Sequence, residues 1–575
     1  MKKINSNTCK YFKRLFLLFI SMVSIVFVTS QNWSCKNKTE SEIKVSSLAN
    51  EQQPVEDDWW LPETVTKTIN CGFIENTFQQ HLSWKQLNPS EGVYDFSVLD
   101  QLLSKNIDFW IMPYFADSMY FPKWVVQKYH LASYQFPMDG YDDGTGHPKT
   151  YVPGFGDDRS IAKMYPIWDP GVVQELSKLL KAMANHNAIK SNHFKYMYVP
   201  GAWRWSEWST EFVDQMKSSG KAKEDYLKNV FNLLDAFADA FSSNTTKLVF
   251  TGYNTLEYTG DEEWSNFLSQ KITKYAISKS MGARHGFTEN FNSSLSDLPD
   301  WGLALKLIDG RYYSVPYDTV PLVQNDNNWF YTENECYGGC DGEKADEVAK
   351  YYNWKMSNLK ALQLRMKQVL PDGQLLYKYP AFKQYVEKTL GKKVNNSPDV
   401  WACLRSWNDW IVDPSLGLNG STIVHNWERW LYQREVSPDG LTEDAYKALD
   451  YMWWWRESKP VVFEAKKTIH AKSSDYIYFN IDDHFVNGYK GSYMVKITYL
   501  DNFNGSWYVQ YQSANDIYKN SQAIINVGDN GWKTISLTIN DAVFANGQKQ
   551  GNDFRIYNGG TFDISVRFVR IIKTF

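Results

Sequence analysis

One glutamate of this sequence lies among three tryptophans. The stretch WRWSEWS places Glu207 next to Trp203, Trp205 and Trp208, directly after the apolar run FKYMYVPGA. A carboxylate is costly to bury, and burial against indole rings favours its neutral form and raises its pKa. Such a carboxyl group could act as a general acid near neutral pH, while the tryptophan rings could form the wall of a sugar subsite. A tryptophan-rich core with no ligand is the alternative interpretation.

A second carboxylate pair follows a later apolar segment. Glu333 and Glu335 lie in NWFYTENECY, and their spacing of two would place both on one face of an extended strand. Glycoside hydrolysis requires two carboxyl groups, one that protonates the leaving oxygen and one that acts as nucleophile or base. We therefore predict Glu207 as the acid/base and Glu333 as the nucleophile, with Glu335 as the alternative nucleophile. In a retaining enzyme the two carboxyl groups should lie about 5 to 5.5 Å apart.

The elements around these glutamates have the rhythm of βα units. Eight short apolar runs alternate with longer amphipathic stretches between residues 58 and 460: TVTKTINCGF, QQHLSWKQL, IDFWIMPYF, FKYMYVPGA, KLVFTGYN, MGARHGF, NWFYTEN and GQLLYKY. Asp169 precedes Pro170 as a helix N-cap candidate. The pattern predicts a (β/α)8 TIM barrel, in which the active site lies at the carboxyl ends of the strands. No glycine-rich phosphate loop follows any of the runs, which counts against a nucleotide-binding sheet.

The pattern changes near Ile469. Alternating segments such as YIYFNIDDHF, GSYMVKITYLD, GSWYVQYQS and FDISVRFVRII are separated by Asn, Gly and Asp turns. This is typical of a C-terminal antiparallel β-sandwich. The predicted class is thus α/β, and the predicted division of the chain is 1–34 signal segment, 35–57 flexible tether, 58–460 catalytic barrel and 465–575 β-sandwich. The aromatic residues of the sandwich could bind carbohydrate, or the sandwich could be a packing domain without a ligand.

Part of the barrel segment resembles a known family. HLSWKQLNPSEGVYDFSVLDQLLSKNIDFWIMPYF is similar to the second βα unit of β-galactosidase-type glycoside hydrolases, with their recurring W..L.P.EG.YDFS.LD pattern. PGAWRWSEWS resembles the G.WGEW pattern of related bacterial barrels, and TEN resembles the nucleophile strand of the same clan of retaining enzymes. The resemblance implies that strands four and seven deliver Glu207 and Glu333. The clan has Asn before the acid/base, whereas this chain has Ser206, so Arg204 could contact an anionic sugar or could hold the nucleophile in place.

Further residues should line the same mouth if the barrel forms. Six follow the second, sixth and eighth predicted strands, with loop packing as the alternative for each: Trp84, Glu289, Asn290, Trp407, Asn408 and Asp409. Arg284 and His285 could contact substrate hydroxyls or sulfate, and a structural role is the alternative for the lone histidine. Four cysteines remain beyond the leader and Cys35, and nine histidines are scattered over the chain, so no zinc pattern is present and no cofactor or metal is predicted. The close pair Cys336 and Cys340 could form a small disulfide loop.

The first residues and the composition restrict location and partners. Lysines and Arg14 precede LFLLFISMVSIVFVT, which has the length of a signal-peptide core, and therefore we predict export. Cys35 resembles the lipidated cysteine of Bacteroidetes-type lipoproteins, which implies a membrane anchor, although ordinary cleavage with Cys35 incidental remains open. Lys+Arg 61 against Asp+Glu 65 gives no basic surface for nucleic acid. Aromatic residues make up 16% of the chain, and flat rings are suited to stacking on a carbohydrate substrate.

These features together predict an exported glycoside hydrolase that cleaves a polysaccharide with retention. The resemblance favours a β-galactoside, such as an algal sulfated galactan. The rival hypothesis is a non-catalytic surface glycan-binding lipoprotein that kept an aromatic cleft and lost its chemistry, and Ser206 in place of Asn is the feature that favours it.

Overall fold

The chain contains a large parallel sheet with helices and two further sheets. The computed structural model describes residues 59–69, 71–137, 161–199, 223–243, 247–250, 271–272, 275–276, 278–287, 303–316, 330–334, 347–371, 375–413, 416–447, 462–486 and 490–574. The predicted mixed α/β class is confirmed by these elements. The predicted leader, the tether and Cys35 lie outside the described residues.

The parallel sheet has eight strands that follow one another in chain order. Each strand from the second to the seventh pairs in parallel with the next, and the eighth pairs with the first. Among the described residues no bonded pair joins the first strand to the second. The strands are Gly72–Phe73, Phe78–Ser83, Phe109–Tyr114, Phe194–Val199, Leu248–Phe250, Gly282–Phe287, Phe330–Asn334 and Gln368–Leu370.

Helices follow the strands, as βα units require. The predicted N-cap of the longest early helix, Pro170–Ala184, is confirmed, because an Asp169 carboxylate oxygen accepts hydrogen bonds from the backbone N–H groups of Gly171 and Val172 at 2.9 and 3.4 Å. The remaining α-helices of the described chain are Trp84–Leu87, Ser97–Lys105, Lys123–Tyr129, Asn187–Lys190, Lys223–Ala240, Glu347–Gln363, Pro380–Thr389 and Asp483–Val486. A separate hairpin pairs Tyr134–Pro137 with Ile161–Met164.

The predicted position of the eighth strand is wrong. The run GQLLYKY is predicted as this strand, but Leu375–Lys378 forms turns and the strand is Gln368–Leu370, a few residues earlier in the chain. The helix Glu347–Gln363 ends earlier because Arg365 adopts a left-handed backbone with φ of 57°. The apolar spacing continues past this point and hides the change of direction.

A nine-stranded sheet lies beyond the helices. Its strands are Leu303–Ile308, Arg311–Pro316, Asp399–Asp413, Leu418–Arg429, Glu443–Lys447, Val462–Lys467, Gly491–Asp501, Gly531–Ala542 and Ser565–Lys573. It takes strands from both sides of the boundary predicted at residues 460 to 465. One face packs on the helices Glu347–Gln363 and Pro380–Thr389 through a core that includes Trp354, Trp401 and Trp427.

A six-stranded sheet covers the other face of the nine-stranded sheet. Its strands are Leu431–Arg434, Tyr476–Ile481, Asn504–Tyr511, Lys519–Asn520, Ile524–Val527 and Phe554–Tyr557, all antiparallel to their partners. One hydrophobic core contains residues of both sheets, such as Val495 and Ile497 from the larger and Phe479 and Trp507 from the smaller. Short 3-10 turns occur at Val394–Asn396, His470–Lys472 and Lys549–Gly551.

Candidate functional site

The carboxyl edge of the parallel sheet brings one predicted catalytic position next to two other strand ends. Glu333 is the fourth residue of the strand Phe330–Asn334 and lies in register with Gly286 on one side and Leu370 on the other. All three are at or next to the last residue of their strands. Because parallel strands end at the same edge, Glu333 lies at the carboxyl edge of the sheet. In barrel enzymes, substrates bind at this edge.

One face of the parallel sheet, which we call the inner face, carries large aromatic side chains. Trp110, Tyr196 and Tyr198 are buried and contact one another, with ring centroids 5.0 to 5.9 Å apart. They alternate along their strands with residues that face the helices, as a period of two requires. The same core cluster contains Ile74, Met112, Tyr114, Tyr120 and Val249.

The second strand adds polar side chains to this aromatic face. His81 is in register with Met112, and its ring lies 5.3 Å from that of Tyr114. Gln79, two residues earlier, donates to the Met112 sulfur at 3.5 Å. Burial lowers the pKa of His81, so the imidazole is neutral at pH 7. The sequence analysis missed His81, although the alternation of Gln79, His81 and Ser83 in one strand signals a polar side that faces the interior.

Asp117 is a second residue that the sequence analysis missed. It lies just past the carboxyl end of the strand Phe109–Tyr114 and is only 2% exposed. Its carboxylate accepts a hydrogen bond from the backbone N–H of Met119 at 2.8 Å, and its backbone bridges to Met164. Nearby, the Ser83 hydroxyl donates to the carbonyl oxygen of Tyr120 at 3.3 Å. A buried carboxylate at this edge is suited to bind hydroxyl groups or to orient another polar side chain.

Glu75 follows the first strand at the same edge. Its carboxylate accepts from the Lys383 ammonium group at 2.8 Å and from the Tyr377 hydroxyl at 3.0 Å. Burial by itself would raise the pKa of Glu75, but the hydrogen bonds from Lys383 and Tyr377 outweigh it and hold the pKa below its usual value. Glu75 is therefore ionised and engaged by its neighbours, which makes it an anchor between the strand and the helix Pro380–Thr389.

Trp84 does not line an open mouth. It begins the short helix Trp84–Leu87, is 0% exposed and packs on the rings of Phe115 and Phe121, whose centroids lie 6.0 and 4.9 Å away. Its indole N–H donates to the side-chain oxygen of Asn88 at 3.4 Å. The expectation of a substrate-binding role is therefore corrected to a core role, since no ring surface is left for a ligand.

Trp407 and Asn408 are likewise displaced from the predicted mouth. Both lie inside the strand Asp399–Asp413 of the nine-stranded sheet, not beyond the eighth strand of the parallel sheet. Trp407 is 0% exposed and packs against Trp427 and the Arg405 guanidinium. The Asn408 side-chain oxygen accepts from the Ser421 hydroxyl of the neighbouring strand at 2.5 Å. The complete burial of Trp407 corrects its predicted substrate contact to a core role, whereas the predicted contact of Asn408 with substrate stays a prediction.

Of the remaining predicted site residues, two lie in a described strand. Arg284 and His285 belong to the strand Gly282–Phe287, in register with Tyr331 and Thr332 of the seventh strand. The other predicted site residues and cysteines lie outside the described residues: Trp203, Arg204, Trp205, Glu207, Trp208, Glu289, Asn290, Glu335, Cys336 and Cys340. Glu207 is eight positions beyond Val199, where the fourth strand ends.

The described residues contain neither a metal-ligand cluster nor a helix suited to cross a membrane. No group of three or more His, Cys, Asp or Glu side chains in this part of the chain is placed to hold a metal ion. None of the helices in the same residues combines the length and the apolar composition that a membrane crossing requires.

Comparison with known proteins gives only distant structural neighbours. No protein-family model and no characterised protein sequence matches the chain. A carbohydrate-binding module of Cellvibrio mixtus lichenase 5A, in complex with cellotriose, aligns with 25% of this chain and 97% of its own, at 17% identity and a TM-score of 0.15. The isomalto-dextranase of Arthrobacter globiformis T6, complexed with panose, aligns with 73% of this chain and 76% of its own, at 9% identity and a TM-score of 0.21.

A third neighbour covers more of the chain. Endo-glycoceramidase II from a Rhodococcus species, as a lactosyl-enzyme intermediate, aligns with 88% of this chain and 89% of its own, at 10% identity and a TM-score of 0.22. Identities and TM-scores this low do not establish a shared family. The proposals for this chain therefore depend on its own residues and register.

Proposed function

We propose that this protein is a retaining glycoside hydrolase whose active site lies at the carboxyl edge of the parallel sheet. The observation that supports the proposal most directly is the register of Glu333, which places this residue at the ends of three adjacent strands. Catalytic carboxylates of barrel enzymes occupy such positions. The fourth strand ends at Val199, eight residues before Glu207 in the sequence, and in this proposal the segment after the strand would bring Glu207 to the same edge.

The proposal requires that the parallel sheet curls into a barrel, and the inner core supports this. Ile74 follows the first strand and belongs to one cluster with residues of the third, fourth and fifth strands. In a flat sheet of the observed order, the nearest of these is Val249, four strand spacings or about 19 Å away. Side chains in contact approach within about 4.5 Å. Curling of the sheet, so that its first and second strands become neighbours, removes this discrepancy.

The chemistry would be a double displacement. The Glu333 carboxylate attacks the anomeric carbon and forms a glycosyl ester while the bond to the leaving oxygen breaks, and Glu207 gives its proton to that oxygen. Glu207 then takes a proton from water, the water oxygen bonds to the anomeric carbon, and the ester bond to Glu333 breaks. Desolvation by Trp203, Trp205 and Trp208 would raise the pKa of Glu207 and keep it protonated for the first step. Glu335 is the alternative nucleophile, and no cofactor is required.

The described residues of the inner face suit the handling of sugar hydroxyls. His81 is neutral and can both donate and accept a hydrogen bond, and the ionised form of Asp117 would act as an acceptor. Tyr198 and Trp110 belong to the same buried cluster as Tyr114, whose ring contacts that of His81. In this proposal a substrate would enter from the carboxyl edge.

The wider architecture and location are part of the same proposal. We infer a (β/α)8 barrel over residues 58–460 and an accessory β-sandwich over 465–575, with strands of the barrel segment extending the larger sheet of the sandwich. The leader 1–34 would direct export, and the tether 35–57 would link a lipid on Cys35 to the barrel at the cell surface. A galactose-containing glycan, sulfated in its algal forms, is the substrate class that the sequence resemblance favours.

Reducing-end release from a panel of plant and algal polysaccharides tests this function. The soluble protein, residues 36–575, should release reducing ends from at least one polysaccharide, and Glu207→Gln should abolish the release. Glu224→Gln is the matched control, because Glu224 is an exposed carboxylate in the first turn of the helix Lys223–Ala240. Inactivity of all three proteins on the whole panel would count against the hydrolase, whereas full activity of Glu207→Gln would show that the assignment of Glu207 is wrong.

The second candidate function is glycan binding without hydrolysis. Ser206 replaces the Asn that the resembled clan has before its acid/base, and this departure is the observation that favours it. The same panel separates the two functions. Equal binding of a polysaccharide by wild type and Glu207→Gln, without release from either, would support the binding protein and exclude the hydrolase.

A further inference from the structure

The outer face of the six-stranded sheet carries a row of tyrosines. Tyr557 is in register with Tyr476 on one side and with Tyr508 on the other, so the three side chains lie side by side across three strands. Their ring centroids are 5.0 and 6.3 Å apart, with interplanar angles of 24° and 23°. All three are half-buried, and their hydroxyl groups have no hydrogen-bond partner among the described residues. We call this row, with Arg555 and Tyr518, the tyrosine face.

Arg555 lies at the centre of the tyrosine face and is only 9% exposed. Its guanidinium carbon lies 3.6 Å from the ring centroid of Tyr476 and 4.1 Å from that of Tyr518, so the cation is held between two aromatic rings. Its Nε donates to the Gln510 side-chain oxygen at 2.6 Å, and its Nη1 donates to the Tyr478 hydroxyl at 2.5 Å. The guanidinium is thereby fixed in position.

The same guanidinium lacks a counter-charge. Within the described residues, Arg555 makes no ion pair with a carboxylate, and its Nη2 has no hydrogen-bond acceptor. The nearby carboxylate of Asp439 is engaged by the Lys549 ammonium group at 2.8 Å. A cation that is nine-tenths buried without a charged partner is costly, and stacking on tyrosine rings offsets only part of that cost. The unused N–H group marks a place for an anionic acceptor.

We propose that the tyrosine face binds an acidic saccharide, with a carboxylate or sulfate oxygen of the sugar accepting from Arg555 Nη2. The hydroxyls of Tyr476, Tyr508 and Tyr557 would contact the hydroxyl groups of the same or adjoining sugar units. Only the choice of a saccharide as ligand rests on the proposed function, since the charge argument stands on Arg555 alone. The site lies on a different sheet from Glu333, so it would hold a second segment of a long chain.

Affinity electrophoresis tests this binding. The parent protein is residues 36–575 with the substitution Glu207→Gln, so that the polymer is bound without being hydrolysed. It is run in gels that contain polygalacturonate, κ-carrageenan or neutral laminarin. We expect one of the two anionic polymers, but not laminarin, to retard the protein. The polymer that retards it distinguishes recognition of a carboxylate from recognition of a sulfate. Tyr518→Ala should weaken binding about tenfold by removing one ring from the guanidinium. Binding should also weaken in higher salt.

Controls keep the result separate from folding and from the hydrolase proposal. Tyr446→Ala removes a tyrosine that is 47% exposed on the nine-stranded sheet, and it should bind like the parent protein. Arg555→Lys should bind more weakly than the parent while showing the same circular dichroism spectrum. Absence of retardation by both anionic polymers, or equal retardation of all variants, overturns the tyrosine-face site. Inactivity of the wild type towards polysaccharides, with retardation intact, would instead count against the hydrolase alone.

Discussion

The two aromatic faces of this protein differ in what surrounds them. Trp110, Tyr196 and Tyr198 of the parallel sheet are buried in an interior where residues from five strands or their ends meet. The tyrosines of the six-stranded sheet form a flat row with half-buried rings and unused hydroxyls. Similar aromatic rings are therefore buried in the core of the parallel sheet and partly exposed on the six-stranded sheet. A ligand could lie on the second set without any rearrangement of the rings.

The polar residues follow the same division. The parallel sheet has a neutral His81 beside the aromatic cluster and the backbone position of Glu333 at its carboxyl edge, and the proposed reaction would use desolvated acids and bases there. The open face has a fixed cation, Arg555, and no acid or base aimed at a common point among the described residues. Enclosure is thus what would separate the proposed reaction site from the proposed binding site.

The largest expected effect is the loss of activity on removal of the nucleophile. Glu333→Gln should lower kcat by roughly 10³-fold or more, because the amide cannot form the glycosyl ester. Glu335→Gln, two residues along, should retain most activity. Steady-state kinetics on the polysaccharide found in the reducing-end assay measures both. If Glu335→Gln is the inactive variant and Glu333→Gln the active one, the roles of the two glutamates are exchanged.

The next effect tests whether Trp84 belongs to the core or to the mouth. Trp84→Ala should lower the free energy of unfolding by about 3 to 5 kcal/mol, because the indole is fully buried against Phe115 and Phe121. Trp60→Ala is the control, since Trp60 is 42% exposed and should cost far less. Thermal unfolding of the full soluble chain gives the comparison. If Trp84→Ala has an unchanged Tm and a raised KM, Trp84 contacts the substrate and is not a core residue.

A lower pH should stabilise the six-stranded sheet and destabilise the parallel sheet. Burial raises the pKa of Asp553, beside the six-stranded sheet, from 3.8 to about 6, although its hydrogen bonds from the Ile481 and Asn546 backbone act in the other direction. The native state then binds more protons than the unfolded state between these values, so lowering the pH from 7 to 5 should add roughly 1 to 2 kcal/mol of stability there. Burial lowers the pKa of His81, so the parallel sheet should lose stability as the pH falls below its unfolded value of 6.5.

Hydrogen exchange measured by mass spectrometry can follow the two regions separately. After correction for the intrinsic pH dependence, peptides around Asp553 should gain protection at pH 5 and peptides around His81 should lose it. Asp553→Asn should remove the first trend, and His81→Gln the second. If both regions gain protection at pH 5, or both lose it, one of the two pKa values is shifted in the opposite direction.

The sequence predicted local features better than long-range ones. The first seven parallel strands match short apolar runs, and strands such as Phe109–Tyr114 are buried along their whole length. The strand Asp399–Asp413 could not be placed in the nine-stranded sheet, because its pairing of Asp399 with Ile572 joins segments far apart in the chain. The eighth strand was misplaced because the backbone at Arg365 changes direction without interrupting the apolar spacing.

The sites show the same limit. Glu333 could be placed at a strand end because the strand itself has a clear apolar pattern. His81, Asp117 and Arg555 were not singled out, since their surroundings come from neighbouring strands or from turns that no short stretch of sequence specifies. Trp407 is predicted at the mouth because it follows the predicted eighth strand, and its complete burial depends on packing between the sheet and the helices.

The smallest expected effect concerns a local feature that the sequence did predict. Asp169→Ala should lower the free energy of unfolding by about 1 kcal/mol, because the backbone N–H groups of Gly171 and Val172 lose their acceptor at the start of the helix Pro170–Ala184. Asp169→Ser should recover most of the loss, since a hydroxyl can accept the same bond. Urea unfolding followed by circular dichroism, with Asp225→Ala as an exposed control in the helix Lys223–Ala240, measures the difference. Equal stability of Asp169→Ala and wild type would mean that packing of the helix against the parallel sheet, and not its cap, fixes where the helix begins.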